Sequence, residues 1–300
     1  MQHNKIHDQS SVQPRKSVDA EFSRTKPGSQ EELGGCLIIN ADDWGQDVQT
    51  TDRIFDCFRS GVLSSASGMV FMEDSERAAA FARQQDLDIG LHLNLSDSFS
   101  ASNVPVRLLN HHEKVRHYLC ASPFTRLIYH PGLASSFEYV IASQLEEFAR
   151  LYGRQPNRID GHHHMHLSAN VMLPRLLPLG TIVRRHFSYE RGEKVVRNSA
   201  FRFYSSAVLA RGYQTTDFLF SLPPLAPFAR LERIFTLATN FIVEVETHPA
   251  MTEEYRFLTG GNLLSWVHNC TPVPAFDQSV ARCRKSKHSS DFISCTPEVV

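Results

Sequence analysis

The sequence contains no run approaching the roughly 20 consecutive apolar residues that a membrane-spanning helix requires, so any contact with a bilayer would have to be peripheral. Its six cysteines, Cys36, Cys57, Cys120, Cys270, Cys283 and Cys295, include no CxxC pair, which argues against both a zinc ribbon and a disulfide-stapled scaffold. Neither sign of charge predominates, since 31 Lys and Arg stand against 32 Asp and Glu. A chain balanced in this way has no long-range field to draw in nucleic acid or an anionic membrane surface. The segment from Met1 to Gln30 is polar, is broken by Pro14 and Pro27, and lacks the apolar core of a secretory signal, so cytoplasmic residence is expected. No repeat of solenoid length is visible.

What is present suits a folded α/β protein. Hydrophobic residues make up 42% of the 300 positions and charged residues 21%, enough apolar surface for one large core. Cys36-Leu37-Ile38-Ile39 reads as a buried parallel strand that stops in the polar group Asn40-Ala41-Asp42-Asp43. The spacing of Ile54, Phe55 and Phe58 predicts a helix over 51–59 closed by Gly61. A strand within 62–71, a helix over 74–85 and a strand over 88–95 follow, a β-α-β rhythm that predicts parallel strands. From Asp97 to Pro131 the pattern is irregular; an insertion or lid with one or two short helices is expected, with His111 and His112 in a loop and given no role. Phe137, Val140, Ile141, Leu145 and Phe148 share one face of a helix ending before Gly153. A strand at Arg158-Ile159-Asp160 then runs into Gly161-His162-His163-His164-Met165-His166. Beyond it are expected a short helix over 170–177 interrupted by Pro174, a strand over 181–185, a helix over 201–212, a proline-rich connection at 223–227, and a strand over 241–246 ending in Thr247-His248-Pro249.

Separate strand ends thus present Asp42-Asp43, His92 and the His162 cluster, with His248 on a fourth. Parallel α/β folds collect functional groups from several strands at the carboxyl face of the sheet. One carboxylate and two imidazoles can hold a divalent ion and leave a position for water, whose pKa the ion lowers. A second, unligated carboxylate can then take the water's proton. Bland readings stand beside this one. Asp42-Asp43 before Trp44-Gly45 also suits a helix cap or turn, His92 between Leu91 and Leu93 suits an ordinary strand histidine, and the histidine cluster suits an exposed turn.

Four ordered motifs raise the first reading. Leu37-Ile38-Ile39-Asn40-Ala41-Asp42-Asp43-Trp44-Gly45, Ile89-Gly90-Leu91-His92-Leu93-Asn94-Leu95, Ile159-Asp160-Gly161-His162-His163-His164-Met165-His166 and Glu244-Val245-Glu246-Thr247-His248-Pro249 together resemble the YdjC-like, or ChbG/HpnK-like, carbohydrate deacetylases. The resemblance implies a distorted (β/α) barrel related to the polysaccharide deacetylases, and hydrolysis of the N-acetyl group of an N-acetylated sugar. It implies Asp43, His92 and His162 as metal ligands, Asp42 as general base, and His248 as the acid that protonates the leaving amine. His164, His166, Arg184, Trp44 and Glu244 would stand behind the ligands or contact substrate, with Arg184 either binding a substrate oxygen or orienting Asp42, and Trp44, in place of the more usual phenylalanine, keeping an apolar wall. The ion is one divalent cation: the family is commonly described with Mg²⁺, whereas two imidazoles favour Zn²⁺, Co²⁺ or Ni²⁺.

A metal-dependent phosphoesterase and a non-catalytic sugar-binding protein on the same fold remain as alternatives. The expected division is a flexible polar segment at 1–33, one catalytic domain at 34–274, and a loosely held tail at 275–300. The identity of the acetylated sugar and any self-assembly stay open. A glycolipid substrate would need an apolar entrance, for which Phe218-Leu219-Phe220 and Leu225-Ala226-Pro227-Phe228 are the candidates.

Overall fold

The structure, a computed structural model, describes residues 35–188, 202, 205–210, 212–261 and 263. The segment at 1–33, the tail at 275–300 and part of the helix expected over 201–212 lie outside the described residues, although 205–209 are helical as expected.

The chain alternates strand and helix. β1 (Cys36–Trp44) leads into α1 (Val48–Arg59), β2 (Ser65–Gly68), α2 (Ser75–Gln85) and β3 (Ile89–Leu93). After α3 (Val106–Cys120) and α4 (Ala134–Tyr152) come β4 (Arg158–Gly161), a short α5 (Ala169–Met172), β5 (Ile182–Val183), β6 (Phe218–Ser221), α6 (Phe228–Leu237), β7 (Ile242–Thr247) and α7 (Thr252–Thr259). Local chemistry accounts for several boundaries. The Asp47 carboxylate accepts the Thr50 amide at 2.8 Å and so starts α1. Gly153, at φ 69°, closes α4 in the left-handed conformation that glycine adopts without Cβ strain.

The seven strands form one sheet in the order β5-β4-β3-β2-β1-β7-β6, and every pairing is parallel. All nine residues of β1, an interior strand between β2 and β7, are buried, the signature of a parallel strand covered on both faces. The sheet curls until its edges approach one another. Beyond β5 the Ser188 amide donates to the Leu219 carbonyl of β6 at 2.8 Å, and the Val183 amide of β5 donates to Gln214 at 2.8 Å. These bonds make the sheet the distorted barrel expected.

Two expectations need correction. The irregular region contains a regular 15-residue helix, α3, and places His111 and His112 on it rather than in a loop. Leu108, His112, Val115 and Leu119 form its buried stripe, and a histidine in that stripe hides the periodicity from a reading by hydrophobicity. Phe218-Leu219-Phe220 form the edge strand β6, with Leu219 and Phe220 buried, so they make no docking surface. Phe228, in contrast, is exposed at the start of α6. The helices α6 and α7 lie where no helix is expected from the sequence. Among the described residues, no helix is long and apolar enough to cross a membrane.

Candidate functional site

The carboxyl ends of β1, β3, β4 and β7 converge on a cavity of about 550 Å³ whose wall includes Asp42, Asp43, His92, His162, His164 and His248. At the end of β1 the pairing with β2 shifts register between Ala41 and Trp44, and Asp43 takes φ 70°. A left-handed backbone is costly for a residue with a Cβ, and such strain persists where the surroundings impose it. His162 Nδ1 lies 3.0 Å and His92 Nε2 3.3 Å from Asp43 Oδ1. Burial opposes ionisation of Asp43, but the two imidazoles outweigh it and hold the carboxyl well below the usual range.

β4 ends in a second strained turn. His163 and His164 have φ 53° and 56°, which sends successive side chains in different directions. His162 turns toward Asp43, and His163 turns outward with Nδ1 3.0 Å from the Ser96 hydroxyl. His164 packs edge-on against Phe187, with Nε2 3.4 Å from Glu246. His166 points into the core, where its Nε2 lies 2.9 Å from the Arg184 carbonyl, and it ties the turn to the β5 side instead of facing the cavity. Gly161 permits the turn, because a Cβ there would lie 2.9 Å from His166 Cβ and 3.1 Å from its backbone nitrogen.

Behind these groups lies Arg184, just past β5 and 1% exposed in its side chain. It clamps Asp42 through two hydrogen bonds of 2.6 and 2.8 Å, donates to Glu244 at 2.7 Å and to Glu246 at 3.2 Å, and pairs with Asp160 at 2.9 Å. Asn40 adds a bond to Asp42 at 2.9 Å. Asp160 in turn meets His92 Nδ1 at 2.8 Å, the arrangement by which a carboxylate fixes a ligating imidazole from behind. Burial works against a charged His92, yet Asp42 and Asp160 overcome it and hold its pKa well above the usual value. Burial and the neighbouring Asp42 charge push Glu246 the other way from Asp43, well above the carboxylate range. His248 stands at the cavity mouth with Nε2 4.0 Å from Asp42 and 3.9 Å from Glu246. Glu254 of α7 pins this turn by accepting both the Thr247 hydroxyl and the His248 amide at 2.8 Å.

Asp43, His92 and His162 bring three ligating atoms within reach of a single cation. Three observations fit one there. His92 Nε2 is buried and has no hydrogen-bond partner among the described residues. It faces the Asp43 oxygen that His162 also faces. Asp43, the carboxylate that both imidazoles face, is buried and held in its ionised form, so a cation between these three groups would meet a negative charge.

Of the residues singled out from the sequence, Asp42, Asp43, His92, His162, His164 and His248 meet at the cavity, while Arg184 and Glu244 stand behind it. Trp44 does not join them: it is fully buried and packs edge-on to Phe58 of α1. Asp160 and Glu246 were missed. Both left a signal, since Asp160 sits in a short strand directly before the histidine cluster, and Glu244 and Glu246 sit two apart on β7 and so share one side.

The fold and this His/Asp constellation define an α/β protein with a metal-type site at the carboxyl ends of its strands. The YdjC-like protein family model matches residues 36–278, and the chain belongs to that family. A chitooligosaccharide deacetylase from Serratia marcescens is 32% identical over 144 residues, 48% of this chain and 53% of that protein. A carbohydrate deacetylase from Danio rerio is 32% identical over 138 residues, 45% of this chain and 43% of that protein. The chain thus spans about half the length of the curated relatives it matches. A crystal structure from Enterococcus faecalis V583, of a protein provisionally described as a cellobiose-phosphate cleavage protein, matches with a TM-score of 0.59 at 17% identity, covering 82% of this chain and 99% of that one; this likeness concerns the fold alone.

Proposed function

We propose that the protein is a divalent-metal-dependent hydrolase that removes the N-acetyl group from an N-acetylated sugar, through one catalytic domain at 34–274. The observation that carries this reading is the pairing of Asp43, His92 and His162 with an adjacent carboxylate, Asp42, on the same cavity. The matched deacetylases point to the same chemistry. Asp43, His92 and His162 would hold the ion, which when bound polarises the acetyl carbonyl and favours ionisation of water. The chain's own groups do the remaining work. Asp42, oriented by Arg184 and Asn40, accepts the proton of the water that attacks the carbonyl carbon. His248 delivers a proton to the amide nitrogen as the C–N bond breaks, so that acetate and the free amine leave. One carboxylate and two imidazoles suit Zn²⁺, Co²⁺ or Ni²⁺ better than Mg²⁺, which prefers oxygen ligands.

A phosphoesterase is less well supported. No Lys or Arg is among the described residues lining the cavity, and Arg184 behind it is engaged by four carboxylates. The test is a panel of N-acetylated mono- and disaccharides assayed for acetate beside a chromogenic phosphate ester, before and after chelation. Chelator-sensitive acetate release is expected. Phosphate release, or acetate release unaffected by complete removal of metal, would overturn the reading. Elemental analysis of protein purified without added metal identifies the ion.

A further inference from the structure

His162 lies between two carboxylates. Its Nδ1 is 3.0 Å from Asp43 Oδ1, and on the opposite edge of the ring its Nε2 is 3.1 Å from Asp97 Oδ2. We infer that Asp97 is a positioning residue that selects the nitrogen His162 offers to the metal, by accepting the Nε2 proton and leaving the Nδ1 lone pair directed at the Asp43 side. The inference rests on the metal reading above.

A neutral imidazole has one N–H and one lone pair, and the partner of the N–H settles which nitrogen can ligate. With Nε2–H donated to Asp97, only Nδ1 remains, and it is Nδ1 that shares Asp43 Oδ1 with His92 Nε2. Asp160 does the corresponding work for His92, but through the other ring atom: it takes Nδ1 and leaves Nε2 facing inward. The two imidazoles thus approach one point through different nitrogens, each backed by its own carboxylate.

Asp97 is built into place. The turn following β3 is held by Asn94, whose side-chain oxygen accepts the Asp97 amide at 2.9 Å and whose Nδ2 donates to the Asp97 carbonyl at 2.9 Å. Asn94 is itself fully buried and locked by Gln144 of α4, which accepts the Asn94 amide at 2.8 Å and donates to its carbonyl at 2.9 Å. The same turn reaches His163 through the Ser96 hydroxyl, so it steadies both residues at the start of the strained histidine turn. β3 therefore contributes one ligand directly and orients the other through the turn that follows. The Asp97 side chain is 42% exposed, against 1% for Asp160, so the expected effect falls toward the lower part of the about 10–100-fold range typical of such partners.

The experiment measures Zn²⁺ and Co²⁺ affinity and stoichiometry on the metal-stripped full chain for the wild type, Asp97→Ala and Asp97→Asn, with ¹⁵N histidine spectra of the Zn²⁺ form. Asp97→Ala should bind one ion about 10-fold or more weakly. Asp97→Asn, whose amide oxygen still accepts from Nε2–H, should recover part of the loss, and the wild-type spectrum should show His162 protonated at Nε2 and ligated through Nδ1. Unchanged affinity in both variants, or ligation through Nε2, overturns the role of Asp97 and leaves the metal site standing. A wild type that binds two ions, of which Asp97→Ala loses one, makes Asp97 a ligand and overturns its positioning role. Failure of the wild type to bind any ion removes the metal reading and the inference together.

Discussion

Asp42 and Asp43 are consecutive residues of one strand, yet both carboxylates line the same cavity, because Asp43 leaves the regular strand conformation at φ 70°. A regular strand would send the two side chains to opposite faces. Their environments then separate them: Asp42 is clamped by Arg184, and Asp43 faces His92 and His162. Asp43→Asn should lower metal content and turnover together, since an amide oxygen is a weaker ligand than a carboxylate. Asp42→Asn should keep its metal and lose on the order of 10²–10⁴ in rate. Metal content and acetate release measured on the same preparations check both; loss of metal in the Asp42 variant would exchange the two roles.

His248 is held by its backbone to Glu254 while its ring lines the cavity beside Asp42 and Glu246. His248→Ala should spare metal content and suppress deacetylation. An acetate ester, whose leaving group needs less protonation, should be damaged less. Equal losses on amide and ester would mean that the ring serves binding instead of proton transfer.

The Arg184 guanidinium is buried among Asp42, Asp160, Glu244 and Glu246. Removing one partner from such a network leaves uncompensated buried charge, so Arg184→Met should cost about 3–5 kcal/mol in stability. Urea unfolding of metal-free protein measures it. A loss well under 1 kcal/mol would show that the carboxylates take up protons at little expense.

His112 stacks on Phe99 with ring centres 4.0 Å apart, and burial pushes its pKa down to about 4 from 6.5. Above 6.5 the ring is neutral in both folded and unfolded chains, and its contribution is fully present. As pH falls from 6.5 toward 4, the unfolded chain binds a proton that the folded one refuses, and stability is lost. His112→Phe should therefore flatten the decline between pH 7 and 5 by about 2 kcal/mol, read from urea unfolding at the two pH values. The cost at pH 7 should stay near 1 kcal/mol, because Gln144 still satisfies the Asn94 carbonyl that His112 approaches.

Most of the strands were legible because their signal is local. β1 and β3 are short, mostly apolar runs that lead into polar groups, and a parallel sheet buried on both faces writes itself in that form. α3 was not legible, since His112 occupies a core position through its stack on Phe99, a contact made with another part of the chain. β6 read as an exposed apolar patch, because nothing local tells a strand that pairs with β7 from a sticky loop. Asp160 was visible as a residue but not as a partner, for its meaning depends on lying opposite His92 across the β3–β4 ladder.

The sequence by itself determined which strand ends carry acids and imidazoles, and that those strands run parallel, because residue type and hydrophobic period act over a few neighbours. Only the tertiary structure decided which way each group points. The left-handed backbones at Asp43, His163 and His164 are unfavourable in isolation and are held by the surrounding packing. The same contacts set Arg184 among four carboxylates, turn Trp44 into the core, and direct opposite nitrogens of His92 and His162 toward one oxygen of Asp43.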